Sequence, residues 1–130
     1  MELGTTMDLL PTFCKLANST LPNDRIYDGY DISPVILGTG PSPRDIVMYY
    51  RDTEVFAIRK GAYKAHFVTQ SEYGQDKPLI QDPPLLFNLN VDPSEKYNLA
   101  ADHPEVIAEI RKVLEEHRQK VVPVENQLEK

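Results

Sequence analysis

Few side chains in this sequence have broad chemical scope: three histidines, one cysteine, and 20 acids against 14 lysines and arginines. Lys64 and His66 lie two apart in a run of alternating character, so in a strand both project from one face. A cation beside an imidazole suits an anion, and these two are the candidate site residues; a solvated sheet surface is the competing reading. His103 falls at a helix start, where the dipole disfavours a positive ring. His117 falls on an apolar helical stripe and reads as a packing residue. The histidines show no metal-ligand spacing and there is no Cys/His cluster, so the residues themselves call for no metal.

Cys14 has no second cysteine to pair with. It reads as a small hydrophobe on a buried helix face. Asp92-Pro93-Ser94-Glu95 has two acids but not the glycine-containing ligand ladder of a calcium loop. It reads as a turn in which Asp92 accepts from backbone N–H groups ahead of it and Pro93 fixes φ. Asn98 can close the connection into Leu99 in the same way. No Gly-rich phosphate loop and no supported Ser-His-Asp arrangement occurs.

The elements that must hold these residues follow from periodicity. Asp8 to Ala17 reads as a short amphipathic helix capped by Asp8, with Pro11 third in the helix and Leu9, Leu10, Phe13, Leu16 and Ala17 on one face. It ends in Asn18-Ser19-Thr20, which also fits an N-glycosylation acceptor pattern, one common by chance. Leu21 to Pro43 is loop text, broken by a helical turn with Ser33 as cap and Pro34 first. Strands are expected over Ile46–Tyr50, Val55–Arg59, Tyr63–Val68 and Leu85–Leu89, with Gly61 taking a positive φ in a hairpin turn. Thr69 to Pro84 reads as a long polar loop. A final helix is capped by Asp102, with Glu105 completing a capping box, and ends near Pro123. Its stripe of Val106, Ile107, Ile110, Val113, Leu114, His117 and Val121 is expected to pack on the sheet, with Glu109, Lys112, Glu116 and Lys120 facing away and Glu116 pairing Lys120. The tail to Lys130 is expected to be loosely held. The expected class is α+β: a four-stranded antiparallel sheet packed by a C-terminal helix and preceded by a helix and loop.

At 130 residues, 41% hydrophobic and 26% charged, the chain suits one globular domain. A net charge of −6 argues against a nucleic-acid partner. No apolar stretch reaches the roughly 18 residues that span a bilayer, so no membrane partner is expected. Nothing at the start resembles a signal peptide. Between Arg44 and Lys64 five bases face three acids, a local basic stretch that reads either as an aid to holding an anion or as solvated strand surface.

Four segments, in order, carry a family resemblance. M-D-L-L-P-T-F-C-K-L-A (Met7–Ala17) resembles D-L-x-P-T-x-x-x-L-A of the sulfatases. D-G-Y-D-I-S-P-V-I-L-G (Asp28–Gly38) is similar to their D-G-x-x-L-x-P-x-L-x-G. Met48–Thr69 resembles a strand hairpin ending in K-A-H-F. P-P-L-L-F-N-L-N-V-D-P-S-E-K-Y-N-L (Pro83–Leu99) matches P-L-L-Y-D-L-x-x-D-P-x-E-x-x-N-L. The chain is identified as similar to the C-terminal portion of sulfatases of the arylsulfatase A and N-acetylgalactosamine-6-sulfatase type. Their nucleophile motif, Cys or Ser followed by x-Pro/Ala-x-Arg, occurs nowhere in it: Cys14 is followed by Lys-Leu-Ala-Asn, and in Ser42-Pro43-Arg44 the Arg stands two residues on rather than four.

The resemblance implies a parent enzyme that hydrolyses sulfate esters of aryl groups or sugars, using a formylglycine and a Ca²⁺ held by residues upstream of Met1 in family order. None of those residues transfers to this chain, which alone is expected to be inactive. Residues 1–43 would be the terminal helix and crossover of a missing N-terminal domain, and residues 44–130 a C-terminal subdomain offering support and a substrate-cleft rim, with Lys64, His66 and the Thr69–Pro84 loop as rim candidates. The implied partners are that missing domain and, through the parent, a sulfated small molecule or glycan; self-association through the Leu9/Phe13 face is a further expectation. The implied parent is secreted, periplasmic or lysosomal. A stand-alone, non-catalytic binding module is the alternative, and it requires the Leu9/Leu10/Phe13/Leu16 face to be covered.

Overall fold

A computed structural model describes residues 2–71 and 76–122. A 3-10 turn (Thr6–Asp8) runs into α1 (Leu9–Leu16), and a single helical turn, α2 (Ser33–Ile36), follows. Strands β1 (Ile46–Arg51), β2 (Glu54–Lys60), β3 (Tyr63–Thr69) and β4 (Leu79–Asn88) form one antiparallel sheet in the order β1-β2-β3-β4, and α3 spans Pro104–Lys120. The fold is the α+β arrangement expected, with an N-terminal helix ahead of the sheet.

Two-residue turns join the first three strands. Asp52 (φ 51) and Gly61 (φ 57) take the left-handed backbone that such turns require. Met48, Ile58, Ala65 and Leu86 sit opposite one another on the face that α3 covers, where Ile58, Ala65, Leu86 and Ile110 are fully buried. Ile107, Ile110 and Leu114 supply the helix side of this core, each contributing about 1.5–3 kcal/mol by burial. The other row on that strand, Lys64 and His66, therefore faces away from α3.

Several local expectations differ from the structure. β4 begins at Leu79, so part of the expected Thr69–Pro84 loop is strand; residues 72–75 lie outside the described residues. β4 is an edge strand, and Pro83 and Pro84 sit where its pairing with β3 shifts register between His66 and Val68, so their missing N–H groups break no regular ladder. α3 is preceded by His103 rather than by an Asp102 cap, and the Glu105 carboxylate faces the His103 ring at 3.1 Å. In α2, Ser33 does not cap; Asp31 accepts from the Ser33 N–H at 2.9 Å. Glu109 turns back to Lys60 at 2.8 Å, and Glu116 lies near Lys112 at 3.9 Å. The tail from Pro123 falls outside the described residues.

Asp8 stands at the N-cap position of α1 as expected, but its side chain makes no capping bond to that helix. Its fully buried carboxylate accepts from the Thr5 N–H at 2.7 Å, the Tyr30 N–H at 2.8 Å, and Nε and Nη2 of Arg44 at 2.9 and 2.6 Å. Arg44 also donates to the Asp28 and Ile46 carbonyls and lies 4.6 Å from the centre of the Tyr30 ring. One buried ion pair thus ties α1 and the Asp28-Gly29-Tyr30 segment to the start of β1. Gly29 is required there, because a Cβ would stand 2.0 Å from the Met7 carbonyl oxygen.

Candidate functional site

β3 brings Lys64 and His66 out on one face, as alternation requires, and the turn after β4 brings Glu95 between them. Lys64 Nζ lies 2.7 Å from Glu95 Oε1, and His66 Nε2 lies 2.6 Å from Glu95 Oε2. Glu95 reaches this position from a left-handed backbone (φ 53). Asp92 fixes that turn by accepting from the Lys96 and Tyr97 N–H groups, each at 2.8 Å, and Asn98 ties the next residues to β4 by accepting from the Leu86 and Ala100 N–H groups. Lys64 Nζ also lies 4.5 Å from the centre of the Tyr49 ring, and the His66 ring meets Phe87 edge-on at 5.8 Å.

The electrostatics set the protonation states. Burial would raise the Glu95 carboxyl, but the hydrogen bond and charge of Lys64, aided by His66, win and hold it below its ordinary value. Burial and then the Lys64 cation push His66 down, against the pull of Glu95. Near neutral pH the cluster is a Lys64–Glu95 ion pair beside a neutral imidazole. Because an ionised Glu95 only accepts, His66 donates through Nε2–H. Lys64 is thus already paired, and an anion could reach it only by competing with the Glu95 carboxylate.

The sequence placed Lys64 and His66 together correctly but read Glu95 as a turn residue and did not single out Tyr49. The one signal for Glu95 was an acid in the Pro-Ser turn after β4, the strand that pairs with the one carrying Lys64 and His66. The expected basic stretch is not an open cationic strip: Arg44 and Arg59 are buried, and Lys60 and Lys64 are ion-paired. His117 is half-buried, its ring 5.8 Å from that of Tyr50 and hydrogen-bonded to the Tyr50 hydroxyl. Cys14 is half-buried rather than deep in a core.

A second feature is the apolar stripe of α1. Leu9, Leu10, Phe13 and Leu16 do share a face, and they are 43–57% exposed. Met7, Ile36 and Leu37 are exposed in the same N-terminal region. The buried side of α1 is instead Pro11 and Thr12; the Thr12 hydroxyl donates to the Asp8 carbonyl at 2.6 Å and accepts from the Ile32 N–H at 3.0 Å.

Among the described residues no three His, Cys, Asp or Glu side chains stand close enough to hold a metal ion. No described helix is long and apolar enough to cross a membrane.

A meandering sheet closed by one helix, preceded by the D-L-L-P-T helix, is the architecture of a sulfatase C-terminal region, and the family model for the C-terminal region of aryl-sulfatase matches residues 42–130. The chain belongs to that family. It is 44% identical over 124 residues to arylsulfatase A of Bos taurus, covering 83% of this chain and 24% of the relative. It is 32% identical over 150 residues to N-acetylgalactosamine-6-sulfatase of Homo sapiens, covering 98% of this chain and 28% of the relative. The PsFucS1 sulfatase from Pseudoalteromonas sp. superposes with a TM-score of 0.69 at 25% identity, over 86% of this chain and 25% of that one. The chain therefore spans about a quarter of the length of the relatives it matches.

Proposed function

We propose that this chain acts as the C-terminal part of a sulfatase that hydrolyses aryl sulfates or sulfated sugars, and that it supports the catalytic domain without carrying the chemistry. The observation that carries this reading is the open apolar face of α1 in a chain matching only the last quarter of its relatives. Four large side chains left in water ask for a partner. The missing N-terminal domain is the partner that chain order supplies, with residues 1–43 as its terminal helix and crossover and 44–130 as the smaller subdomain. The exposed face favours this reading over a stand-alone module, which needs that face covered.

Calcium and a formylglycine belong to the parent on this reading. Among the described residues no three His, Cys, Asp or Glu side chains stand together as calcium needs, and the sequence contains no C/S-x-P/A-x-R motif for a formylglycine. Lys64 and His66, held by Glu95, are proposed as cleft-rim residues that orient an anionic substrate. The parent is placed in a secreted, periplasmic or lysosomal setting.

The test uses an arylsulfatase A trimmed of the segment this chain matches. The purified chain alone, given a chromogenic aryl sulfate and Ca²⁺, is expected to show no turnover, and turnover would overturn the reading. Added to the trimmed enzyme, it is expected to restore activity. Failure where the relative's own C-terminal quarter succeeds would end the supporting role. In the restored enzyme Lys64→Ala is expected to raise KM with kcat little changed; an unchanged KM removes Lys64 from the rim.

A further inference from the structure

We propose that Asn18 is an N-glycosylation site. Asn18-Ser19-Thr20 is the only Asn-x-Ser/Thr triplet in the 130 residues, and its middle residue is not proline. Its position in the fold meets the physical demands of that modification. All three residues are exposed, and they open a stretch without helix or strand that runs to Ile32. α1 closes there in a Schellman motif. The Ser19 N–H donates to the Cys14 carbonyl at 2.8 Å, the Asn18 N–H donates to the Lys15 carbonyl at 3.1 Å, and Asn18 sits at φ 53. The backbone polar groups of the turn are thereby satisfied. The Asn18 side-chain amide makes no hydrogen bond to a described residue, and neither does the Thr20 hydroxyl.

Helix closure alone accounts for an asparagine at this position, since the left-handed site favours Gly or Asn. It does not account for the uncommitted Thr20 two residues on. The site also lies beyond the end of the exposed apolar stripe, past Leu16, so a glycan there leaves Leu9, Leu10 and Phe13 open to a partner domain. A bulky, solubilising group at the helix end would mark the margin of that contact.

The modification needs a lipid-pyrophosphate-linked oligosaccharide as co-reactant. The Asn18 side-chain nitrogen bonds to the anomeric carbon of the sugar and gives up one proton to a base. The anomeric carbon–oxygen bond breaks, and its electron pair leaves on the lipid pyrophosphate. No oxidant or reductant is involved. The inference rests on the chain entering a eukaryotic secretory compartment, in line with the animal source of the relatives at 44% and 32% identity.

The test reads glycan mass rather than sulfatase activity, so its failure leaves the activity reading standing. The full chain, given a cleavable secretory leader, is expressed in animal cells, and its protease-protected, translocated fraction is run with and without an amidase that removes N-glycans. One discrete mobility step is expected. Asn18→Gly, which keeps the helix closure, and Thr20→Ala, which keeps the asparagine, are each expected to abolish the step, while Thr20→Ser retains it. A translocated wild-type chain without the step, or a step that survives Asn18→Gly, overturns the proposal.

Discussion

Asp8→Asn is the sharpest probe of how the two ends of this structure are joined. Asp8 holds its carboxyl at about 2, down from 3.8: burial raises it, but Arg44 and the Tyr30 and Thr5 N–H groups outweigh burial. That drop corresponds to about 2.5 kcal/mol. Because the folded value is the lower one, this contribution is fully present above pH 3.8 and fades as the pH falls toward 2. In the Asn variant an amide N–H faces donors, and Arg44, whose side chain is 6% exposed, loses its counter-charge. Breaking such a buried pair costs about 3 kcal/mol or somewhat more. The loss should be local, since α1 and α2 meet the sheet through this ion pair rather than through the core that α3 covers. Amide hydrogen exchange is the assay. The Tyr30 and Ile32 amides should exchange on the order of 100-fold faster in the variant, with Ala65 in β3 unchanged. Unchanged exchange at Tyr30 would refute the energetic argument. Equal acceleration at Ala65 would refute the claim that the N-terminal segment opens separately.

Ile110→Ala empties a fully buried site and is expected to cost about 3 kcal/mol, with a thermal midpoint roughly 10 °C lower by circular dichroism; a loss under about 1 kcal/mol would mean α3 repacks freely. Lys64→Met is expected to raise the His66 titration midpoint and Glu95→Gln to lower it, read from the imidazole proton resonances, and a shift of opposite sign in either would disprove the assigned charge pattern. His66 and Glu95 are both depressed, so each adds stability at neutral pH that is lost on acidification, first through His66 below about 6.5 and then through Glu95. The isolated chain is expected to self-associate through α1, and Leu10→Asp with Phe13→Asp should return it to a monomer by light scattering; a wild-type monomer that binds no hydrophobic dye contradicts this.

The elements that can be read from sequence are those whose periodicity one stretch carries entire. α3 repeats its aliphatic side chains at helical spacing from Val106 to Leu114, and β1 to β3 are short β-branched or aromatic runs separated by turn residues. The first half of β4 was hidden by Pro83 and Pro84, which argue against a strand until its place at the sheet edge is known. Asp8 looked like a local cap because its true partner, Arg44, lies 36 residues away and the intervening loop gives no sign of the approach. Lys64 and His66 could be paired through alternation alone, whereas Glu95 joins them from 29 residues downstream of His66 by a turn geometry that propensity does not specify. The exposure of α1 was not visible in its pattern either, since an amphipathic stripe reports that a helix has a partner, not whether that partner is in the same chain.

The strand order β1-β2-β3-β4 has a consequence for how this polypeptide comes to be folded. Every strand zips to the one synthesised just before it, so the meander can assemble progressively as it emerges, at little loop-closure cost. Its aliphatic side stays wet throughout, for Ile107, Ile110 and Leu114 arrive last. A nascent chain paused before that final segment is a half-finished sandwich, sticky on one side. Premature stop codons ahead of α3 should therefore send the product to quality control rather than leave a shortened but serviceable lobe.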